Sequence, residues 1–526
     1  MRLPYISSYP QAQQRTVGTF EGLDERISIK DGSFSAMRNM SSRNYPAIAS
    51  RKTRGEVLQT VTDPHALFWK NHLFIIDGTK CIYNGSEIEG LEVTAGDKQI
   101  VGMGAYIVIF PDKKIFNTAT GEVSAIEASY TQSSDITFKE LSTDSVYTKI
   151  EAEGIDDIFS RTDGVEIDGV NDDAFYVDGV PVTKVITEIG DDYIVVTASI
   201  QNTFTGEVTI EAAEEGFKVS GEDIEDKFKA ADIVKIIGAW DDDLNVSGAS
   251  VTGSGSGYIL LDAEMPERTC TQTETISFMQ YYSGSDLVKI SGDDLTDIFH
   301  QGDVITITGC TDTTFNETFT VQQASGNWIL IKSSIDESFD QASGISISRS
   351  KAVYDEAIVK RTGFVQSEGI TFSRKCQDFD YVCEHDNRLW ACNSLNHEIY
   401  ASKLGDPTNW NCYEGISTDS YTLSVGSDGD FTGCISHMGY VLFFKENSIH
   451  MMYGNKPANY QLNTKAQPGV REGCSRSLQI VGETLYYVGR NGVYSFDGAS
   501  PRKISAGILS ELTDAAASQQ DEKLYL

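Results

Sequence analysis

The sequence predicts an all-β protein, and three observations support this class. Residues that favour strands (Val, Ile, Thr, Tyr and Phe) dominate the chain, with 46 glycines and only 11 prolines among 526 residues. Helical periodicity is nearly absent, and the clearest candidate helix is 506–519, where Ile508, Leu509 and Leu512 share a face. Finally, short strands separated by polar turns recur in 65–122 and again in 380–526, on either side of a different, acidic module.

Five hairpins can be recognised in these two stretches, and each joins an apolar-aromatic strand to a second strand through a turn. They are Asn71–Ile76 with Lys80–Gly85, Gly104–Phe110 with Lys113–Asn117, Asn387–Cys392 with Glu398–Lys403, Gly439–Phe444 with Ser448–Gly454, and Glu483–Val488 with Asn491–Gly498. A repeated meander predicts a β-propeller-like fold. A sixth strand, Glu522–Leu526, opens without a partner. We therefore expect either processing of the chain or completion of this sheet by a neighbouring subunit.

The predicted organisation has four parts. Residues 1–64 form an N-terminal arm with the first propeller strands, and 65–127 hold the first blades. Residues 128–352 are an inserted acidic module, and 353–526 hold the remaining blades, of which the last is incomplete. The insertion divides the propeller into two segments of the chain.

The inserted module carries a threefold repeat. Phe159, Phe228 and Phe299 each lie in a short acidic turn, 69 and 71 residues apart, and each is followed ten residues later by a glycine. An alternating strand runs between each phenylalanine and its glycine. This register predicts three tandem β-barrels or sandwiches of about 70 residues. We expect the phenylalanines to plug the barrel ends as core residues, in preference to binding a ligand.

The negative charge is concentrated in this module. The chain has a net charge of -35, and Thr131–Ser350 contains 42 acidic and 12 basic residues, a net charge of -30. Such a surface repels nucleic-acid phosphates, so sequence-specific DNA binding is not expected. Calcium is a weaker interpretation of Asp163, Asp168, Asp172, Asp173 and Asp241–Asp243, because no D-x-[DN]-x-[DN]-G loop is present.

The cysteine content and the N-terminal sequence indicate the cellular compartment in which the protein is made. The nine cysteines are irregularly spaced without a CxxC pair, which is typical of free thiols in a reducing cytosol. Met1–Gln14 lacks the apolar segment of a signal peptide, and no apolar run reaches the roughly 18 residues of a membrane span.

No catalytic motif is found. H-E-x-x-H, Walker A and G-x-S-x-G are absent, and the seven histidines are scattered. His385 and His397 could face one pocket, but we interpret them as core or surface residues. We therefore predict no enzymatic activity and no cofactor.

Three groups of phrases carry a resemblance to a known family. The first contains "FEGLDER", "DGSF" and "MRNM" followed by "YPAIASR"; the second is "NRLW…IYASKLGDPTNW"; the third includes "YYVGRNGVYSFDG". The residues singled out in them are Phe20, Gly22, Arg26, Asp31, Gly32, Asn39, Pro46, Arg51, Asn387, Arg388, Leu389, Trp390, Trp410, Gly492, Tyr494, Asp497 and Gly498. Their joint order resembles the nozzle, or tail tubular protein B, family of short-tailed bacteriophages, over about half of the chain.

The resemblance implies a structural virion protein that is assembled in the host bacterial cytoplasm and located in the phage tail. It implies a hexameric ring below the portal and adaptor, with a channel for translocating DNA and with fibres or spikes outside. Two alternatives remain: a carbohydrate- or receptor-binding adhesion propeller, and a glycoside hydrolase or lyase propeller with a catalytic carboxylate.

Overall fold

The computed structural model describes residues 16–57, 59–142, 145–200, 202–214, 216–271, 274–508, 510–520 and 523–526. These residues form two compact units. Unit 1 comprises Met1–Glu127 and Lys375–Leu526, and unit 2 comprises Ala128–Arg374. Apart from one short parallel strand pair in unit 1, both units are built from antiparallel sheets and a few single-turn helices. The predicted all-β, propeller-like class with an insertion of three small barrels is therefore confirmed.

Unit 1 contains five four-stranded antiparallel sheets, each with its strands in chain order. Sheet 1 is Pro64–Lys70, His72–Asp77, Lys80–Tyr83 and Ser86–Glu92; sheet 2 is Gln99–Met103, Tyr106–Phe110, Lys114–Asn117 and Val123–Ala125; sheet 3 is Tyr381–His385, Arg388–Asn393, Glu398–Ala401 and Tyr421–Ser424; sheet 4 is Phe431–His437, Tyr440–Lys445, Ser448–Tyr453 and Gln461–Lys465; sheet 5 is Gln479–Val481, Thr484–Gly489, Gly492–Phe496 and Arg502–Lys503. The five predicted hairpins are the central strand pairs of these sheets, and are confirmed.

Apolar cores join the five sheets in series. Sheet 1 packs on sheet 2 through Phe74 and Ile107, and sheet 2 packs on sheet 3 through Val108 and Leu389. Two further cores join sheet 3 to sheet 4 and sheet 4 to sheet 5. The first strands of sheets 1 to 4 contact one another in the same order. This is the blade arrangement of a propeller.

Short strand pairs complete unit 1. Gly22–Leu23 pairs in parallel with Ser33–Phe34, and Met40–Ser41 pairs with Ala49–Ser50. The strand expected to lack a partner, Lys523–Tyr525 among the described residues, instead pairs with Ser518–Gln520, so that expectation is wrong. Glu522 lies outside the described residues.

The predicted helix over 506–519 is also wrong among the described residues, which do not include Leu509. The segment forms turns and ends in the strand Ser518–Gln520. Its backbone groups bond to distant segments instead of to each other: Gly507 O accepts from Glu25 N–H, and Ala517 N–H donates to Arg476 O. These contacts replace the i to i-4 bonds that a helix needs.

Among the described residues, unit 2 contains three barrels, each built mainly from strands of one repeat. Barrel 1 has Ala128–Thr131, Ile136–Glu140, Tyr147–Glu151, Gly164–Asp168, Lys184–Gly190 and Tyr193–Thr197, with the small pair Tyr176–Val177 and Val180–Pro181; barrel 2 has Thr203–Ala212, Phe217–Ser220, Asp232–Ile237, Ser247–Gly255 and Tyr258–Leu261; barrel 3 has Thr269–Thr271, Ile276–Gln280, Leu287–Ser291, Val304–Thr308, Thr318–Ser325 and Trp328–Lys332. Each barrel has its own buried apolar core.

The chain then returns through all three barrels on one segment. This return segment consists of Phe339–Gln341, the 21-residue strand Ser346–Gln366, and Thr371–Arg374. The long strand pairs with strands of barrel 3, barrel 2 and barrel 1 in turn, and in barrel 2 it closes a six-stranded ring by itself. The module therefore ends at Arg374 instead of the predicted 352, because the return segment supplies the closing strands of every barrel.

Single-turn helices introduce the repeated phenylalanines. The helices that precede the phenylalanines are Ile155–Asp157, Ile224–Asp226 and the α-helical turn Leu295–Ile298. A second single-turn helix follows later in each repeat, at Asp173–Phe175, Asp242–Leu244 and Thr313–Phe315. Unit 1 has two such helices among its described residues, Pro457–Asn459 and Ser475–Ser477. Phe159, Phe228 and Phe299 lie in the three barrel cores. Each donates its N–H to the carbonyl four residues earlier, which directs the ring inward at the end of the turn.

Candidate functional site

The candidate site is the open end of the propeller in unit 1. Among the described residues, no buried apolar cluster joins sheet 5 to sheet 1 and no sixth four-stranded sheet follows sheet 5. Instead, the first strand of sheet 5 contacts the strand pair formed by Ser518–Gln520 and Lys523–Tyr525. The outer face of sheet 1 is thus left without a neighbouring blade from the described part of this chain.

That outer face of sheet 1 is apolar. Leu67 and Trp69 are each 70% exposed, and Trp69 lies directly opposite Leu73 on the adjacent strand. Strand alternation places Ala66 and Phe68 on the other face, where they pack into the core shared with sheet 2. Leu67, Trp69 and Leu73 thus form a group of large apolar side chains exposed to water, which is typical of a contact surface.

Local contacts hold the first half of the N-terminal arm together. Phe20 stacks on Phe34 at 5.9 Å, and Arg26 binds Asp24 through two hydrogen bonds, which lowers the pKa of Asp24 to about 2. Gly32 has φ +93, and a Cβ there would collide with the Thr19 carbonyl oxygen. These contacts give the first family-like phrase a local structural role.

Further contacts tie the arm to the end of the chain. Glu25 donates its N–H to Gly507 O and accepts hydrogen bonds from Ser510, and the Lys523 amine donates to Ser42 O at 3.2 Å. The arm and the C-terminal segment of unit 1 are therefore in direct contact.

The second half of the arm is basic and exposed. Residues 37–54 contain five Lys or Arg and no acidic residue. In this stretch Asn39 has φ +59 and accepts a hydrogen bond from Arg51 N–H, while Pro46 O accepts from Phe20 N–H. Gly22 begins the first strand of the parallel pair, and Asp31 lies in the turn that precedes its second strand. The arm thus presents positive charge in a strongly acidic protein.

The second family-like phrase forms the interior of sheet 3. The Arg388 guanidinium is buried and donates to three backbone carbonyls, those of Ser402, Ser417 and Asp419, at 2.6–2.8 Å. Burial lowers the pKa of Arg388. Leu389 N–H donates to Ser402 Oγ.

The aromatic residues of this phrase are also internal. Trp390 packs edge-on against Tyr460, Trp410 donates its indole N–H to Pro407 O, and Asn387 has φ +57 in a turn. The two tryptophans are buried, so they stabilise the blade and are not available to a ligand, whereas Asn387 is exposed in its turn.

The third phrase has the same structural character in sheet 5. Gly492 has φ +127 and lies beside Ser505, where a Cβ would not fit. Tyr494 stacks on Tyr487 in the core between sheets 4 and 5. Asp497 Oδ1 accepts from Ala499 N–H in a turn, and Gly498 has φ +94.

A cavity of about 660 Å³ lies along the first strands of sheets 2 and 3 and the turn before sheet 5. Gln99 crosses from sheet 2 to sheet 3, where its amide accepts from Val382 N–H and donates to Asp380 O. Arg476 pairs with Asp97 at 2.8 Å. A cavity of this size suits a small molecule. It is far too small for duplex DNA.

Three of the aspartates considered for calcium, Asp163, Asp172 and Asp241, are engaged by arginines of the return segment. Asp163 pairs with Arg374 at 2.6 Å, and Arg361 contacts both Asp172 of barrel 1 and Asp232 of barrel 2. Asp241 of barrel 2 pairs with Arg268 and with the buried Arg349. Asp163, Asp172 and Asp241 thus have cationic partners from the protein itself.

Sequence analysis missed this repeated acidic pattern. Each repeat contains Phe-x3-Asp, with Asp163, Asp232 or Asp303, and then Gly-x2-Asp, with Asp172, Asp241 or Asp312. The first aspartate accepts from a backbone N–H three residues earlier, and the second caps a single-turn helix. The signal was present in the same alignment that revealed the phenylalanines.

The histidine pair is not brought together. His385 bonds Ser436 Oγ at the hairpin between the first two strands of sheet 3, whereas His397 lies in the next turn, at the other end of Arg388–Asn393. All nine cysteines are free thiols, of which only Cys434 is partly exposed.

One group has the spacing of metal ligands in the described residues: Cys412, Glu414 and Asp419. The Lys403 amine lies 3.4 Å from Cys412 Sγ and 3.9 Å from Glu414, so a cation already occupies this position. Burial raises the pKa of Cys412 to about 11, which keeps the thiol protonated and a poor ligand.

Comparisons with known proteins do not identify a family. No family model and no curated protein matches the chain. Apo AztD from Citrobacter koseri is 8% identical with a TM-score of 0.17, over 80% of this chain and 94% of that one. The phage phi92 endosialidase is 9% identical with a TM-score of 0.19, over 93% and 63%. The extracellular domain of the hybrid two-component system BT4673 from B. thetaiotaomicron is 9% identical with a TM-score of 0.16, over 89% and 69%. TM-scores this low carry no argument.

The geometry of unit 1 therefore favours contact with other macromolecules. The open end combines an apolar sheet face, a basic arm and a short hairpin, and none of these groups forms a catalytic constellation. No helix in the described ranges has the length and apolar character that crossing a bilayer requires.

Proposed function

We propose that the protein is a structural component of a bacteriophage tail, in which copies of the chain form a ring of the nozzle or hub type. The observation that carries the proposal is the uncovered apolar face of sheet 1, with Leu67 and Trp69 each 70% exposed. A neighbouring copy that covered this face would supply the missing contact between sheets 5 and 1. The family-like phrases support a tail ring, and the copy number of six comes from that resemblance alone.

Charge supports the same assembly. The basic stretch 37–54 is exposed on a chain whose net charge is -35, so it is electrostatically complementary to an acidic surface of another copy. In the proposed ring, DNA passes between copies, and an acidic lining keeps it from adhering because few cations are present to neutralise its phosphates. The adaptor or portal-side protein and the fibres or spikes would bind the outside of the ring.

The test is the oligomeric state of the full chain. We expect light scattering and negative-stain images of one peak to show a ring of about six copies. The double variant Leu67→Ser, Trp69→Ser should dissociate the ring, because burial of each of these side chains in the interface contributes a free energy on the order of 2 kcal/mol. Leu395→Ser is the matched control, since Leu395 is 89% exposed in a turn of sheet 3. A monomer that persists with virion partners present would contradict the proposal.

A second candidate, glycan adhesion, has one specific observation in its favour. Barrel 3 exposes Tyr281 and Tyr282, and the Tyr281 ring lies 6.1 Å from the Trp328 ring, over which the Lys289 amine is placed. Exposed aromatic rings with a neighbouring polar group can stack on sugars. A glycan-array signal that disappears in Tyr282→Ala would favour this function, and a blank array would remove it.

A further inference from the structure

The return segment carries a regular series of arginines. Arg349, Arg361 and Arg374 follow one another at spacings of 12 and 13 residues. Arg361 lies at the junction of barrels 1 and 2, where its guanidinium contacts Asp172 of barrel 1 and lies 3.4 Å from Asp232 of barrel 2. At this first junction one arginine therefore bridges two buried carboxylates that belong to different barrels.

The junction of barrels 2 and 3 has the equivalent residues but lacks the complete bridge. Arg349 binds Asp241 of barrel 2 at 2.8 Å, which is the contact expected from the repeat. Asp303 of barrel 3 is the counterpart of Asp232 and is fully buried. Among the described residues, however, no cationic side chain forms an ion pair with Asp303. Only one of the two carboxylates at this second junction is thus joined to its arginine.

Unpartnered donors accompany the incomplete bridge. The Arg349 side chain is fully buried, and its Nε and Nη1 have no hydrogen-bond partner. Trp240 Nε1 and His300 Nδ1 are also buried without a partner. Leaving a buried donor unpaired costs free energy, because the group has lost its hydrogen bonds to water. A rearrangement that joined Arg349 to Asp303 would remove part of this cost.

An aromatic stack occupies the second junction. The Trp240 and His300 rings are stacked with centroids 3.4 Å apart, and the guanidinium carbon of Arg349 lies 5.2 Å from the centre of the Trp240 ring. Trp240 stands where repeat 1 has Asn171, whose carbonyl oxygen accepts a hydrogen bond from Arg361. Because Asn171 has no ring, the first junction cannot form this stack. A cation–π contact with Trp240 thus holds Arg349 at the second junction.

The charges of the second junction determine how it responds to pH. The groups that face Asp303 or its immediate neighbours come from its own turn, from the return strand and from barrel 2: His300 and Asp297, Arg349 and Tyr354, and Asp241 with Arg268 and Asp243. Burial raises the pKa of Asp303 to about 6, while the backbone N–H of His300 and the charge of Arg349 oppose this rise. Burial and Arg349 lower the pKa of His300, so its imidazole is protonated only in more acidic solution than usual.

We propose that the second junction is a conformational switch that responds to pH. When Asp303 is neutral, Arg349 remains on the Trp240 ring, as in this structure. When Asp303 is ionised, the unpartnered donors of Arg349 bind that carboxylate, and Arg349 bridges Asp241 and Asp303 as Arg361 bridges its two aspartates. The new hydrogen bonds are charge-assisted, and such bonds are stronger than those between neutral groups. The inference does not rest on the proposed tail function.

The experiment is a pH titration of Trp240 fluorescence in the full chain, taken as the difference between the parent and Trp240→Phe. We expect one transition with a midpoint at or below about pH 6, because the bridge favours the ionised form of Asp303. Asp303→Asn should retain the emission of the acid form at every pH. Arg349→Met should also lose the transition, because no guanidinium then leaves the Trp240 ring. Circular dichroism would verify that each variant is folded.

Two further variants separate this switch from other titrations. Asp232→Asn is the matched control, since Asp232 occupies the equivalent position at the first junction, and it should leave the transition of Trp240 unchanged. His300→Gln removes the other titratable group beside Trp240 and should retain a transition. A transition that persists in Asp303→Asn and disappears in His300→Gln would overturn the inference, because the histidine would then be the titrating group. Emission of Trp240 that does not change between about pH 4 and 8 in the folded parent would overturn it as well.

Discussion

Arg361 is predicted to hold barrels 1 and 2 together. It lies on the long return strand and is 6% exposed; its guanidinium contacts Asp172 of barrel 1 and lies 3.4 Å from Asp232 of barrel 2. It also donates to Asn171 O at 3.2 Å. Arg361→Met keeps most of the side-chain volume and removes the charge, which leaves two buried carboxylates without their cation.

The expected loss is about 3–5 kcal/mol, the usual cost of removing one partner from a buried ion pair. For a unit of this size, each 1 kcal/mol lowers the melting temperature by about 2–4 °C, so the transition of unit 2 should fall by about 6–20 °C. Burial already raises the pKa of Asp232, and Arg361 opposes that rise. Without Arg361 the folded-state pKa rises further above the unfolded value, so the deficit should grow as pH increases from 5 to 8.

Differential scanning calorimetry and urea titration of the full chain would measure this loss. The exposed Arg161→Met is the matched control and should stay within about 0.5 kcal/mol of the parent. Adding Asp172→Asn and Asp232→Asn to Arg361→Met should recover a large part of the stability, because no uncompensated charge remains. A deficit under 1 kcal/mol, or one that does not change with pH, would refute the reasoning.

Two further predictions concern one unit each. Asp303 is fully buried, and burial raises its pKa to about 6, so its ionisation destabilises the folded state above that pH. Asp303→Asn should therefore raise the free energy of unfolding by up to about 3 kcal/mol at pH 7.5 and by almost nothing at pH 4, and urea titrations at the two pH values would measure this. Joining Glu127 to Lys375 through a short glycine linker should leave unit 1 folded, because Cys376 N–H donates to Glu127 Oε1 at 3.2 Å; circular dichroism and a cooperative melt would check this, and an aggregated product would contradict it.

Local pairing explains which parts of the fold were predictable. The central hairpins of the five sheets join strands that follow one another in the chain, so alternation and turn residues are sufficient to recognise them. The repeat of Phe159, Phe228 and Phe299 was visible for the same reason, since each marks a compact turn. Sequence analysis also placed the start of the inserted module at 128, where unit 2 begins.

The return segment could not be recognised by these means. Its strand Ser346–Gln366 is 21 residues long and pairs with partners up to about 230 residues earlier, such as Ile136 opposite Gln366. Typical strands have 3–10 residues, so a 21-residue strand is not expected, and its residues after 352 fall within the predicted second set of blades. Arg349, Arg361 and Arg374 lie outside the three repeats, and an alignment of the repeats cannot reveal them.

Non-local contacts also explain the remaining differences between the structure predicted from the sequence and the observed one. Ile508 and Leu512 have helical spacing, but Ser510 N–H is bonded to Glu25 near the other end of the chain. Thr432 is the extra residue of a β-bulge in sheet 4, which is visible only when the register with Lys445 is known. The uncovered face of sheet 1 is equally hidden, since its alternating pattern does not show whether a sixth blade follows.

The return strand makes the three repeats of the insertion depend on one another. No barrel contains all of its closing strands until the chain has passed Phe339–Arg374, so the three repeats are interdependent and should unfold as one cooperative unit. The ends of unit 2 pair directly, with Ala128 opposite Arg374 and Thr131 opposite Thr371. Residues 127 and 376 are likewise in hydrogen-bond contact in unit 1. Because both junctions are adjacent, a module with most of the negative charge can be inserted between sheets 2 and 3 without separating them, and changes in the module need not alter the surface through which unit 1 is proposed to assemble.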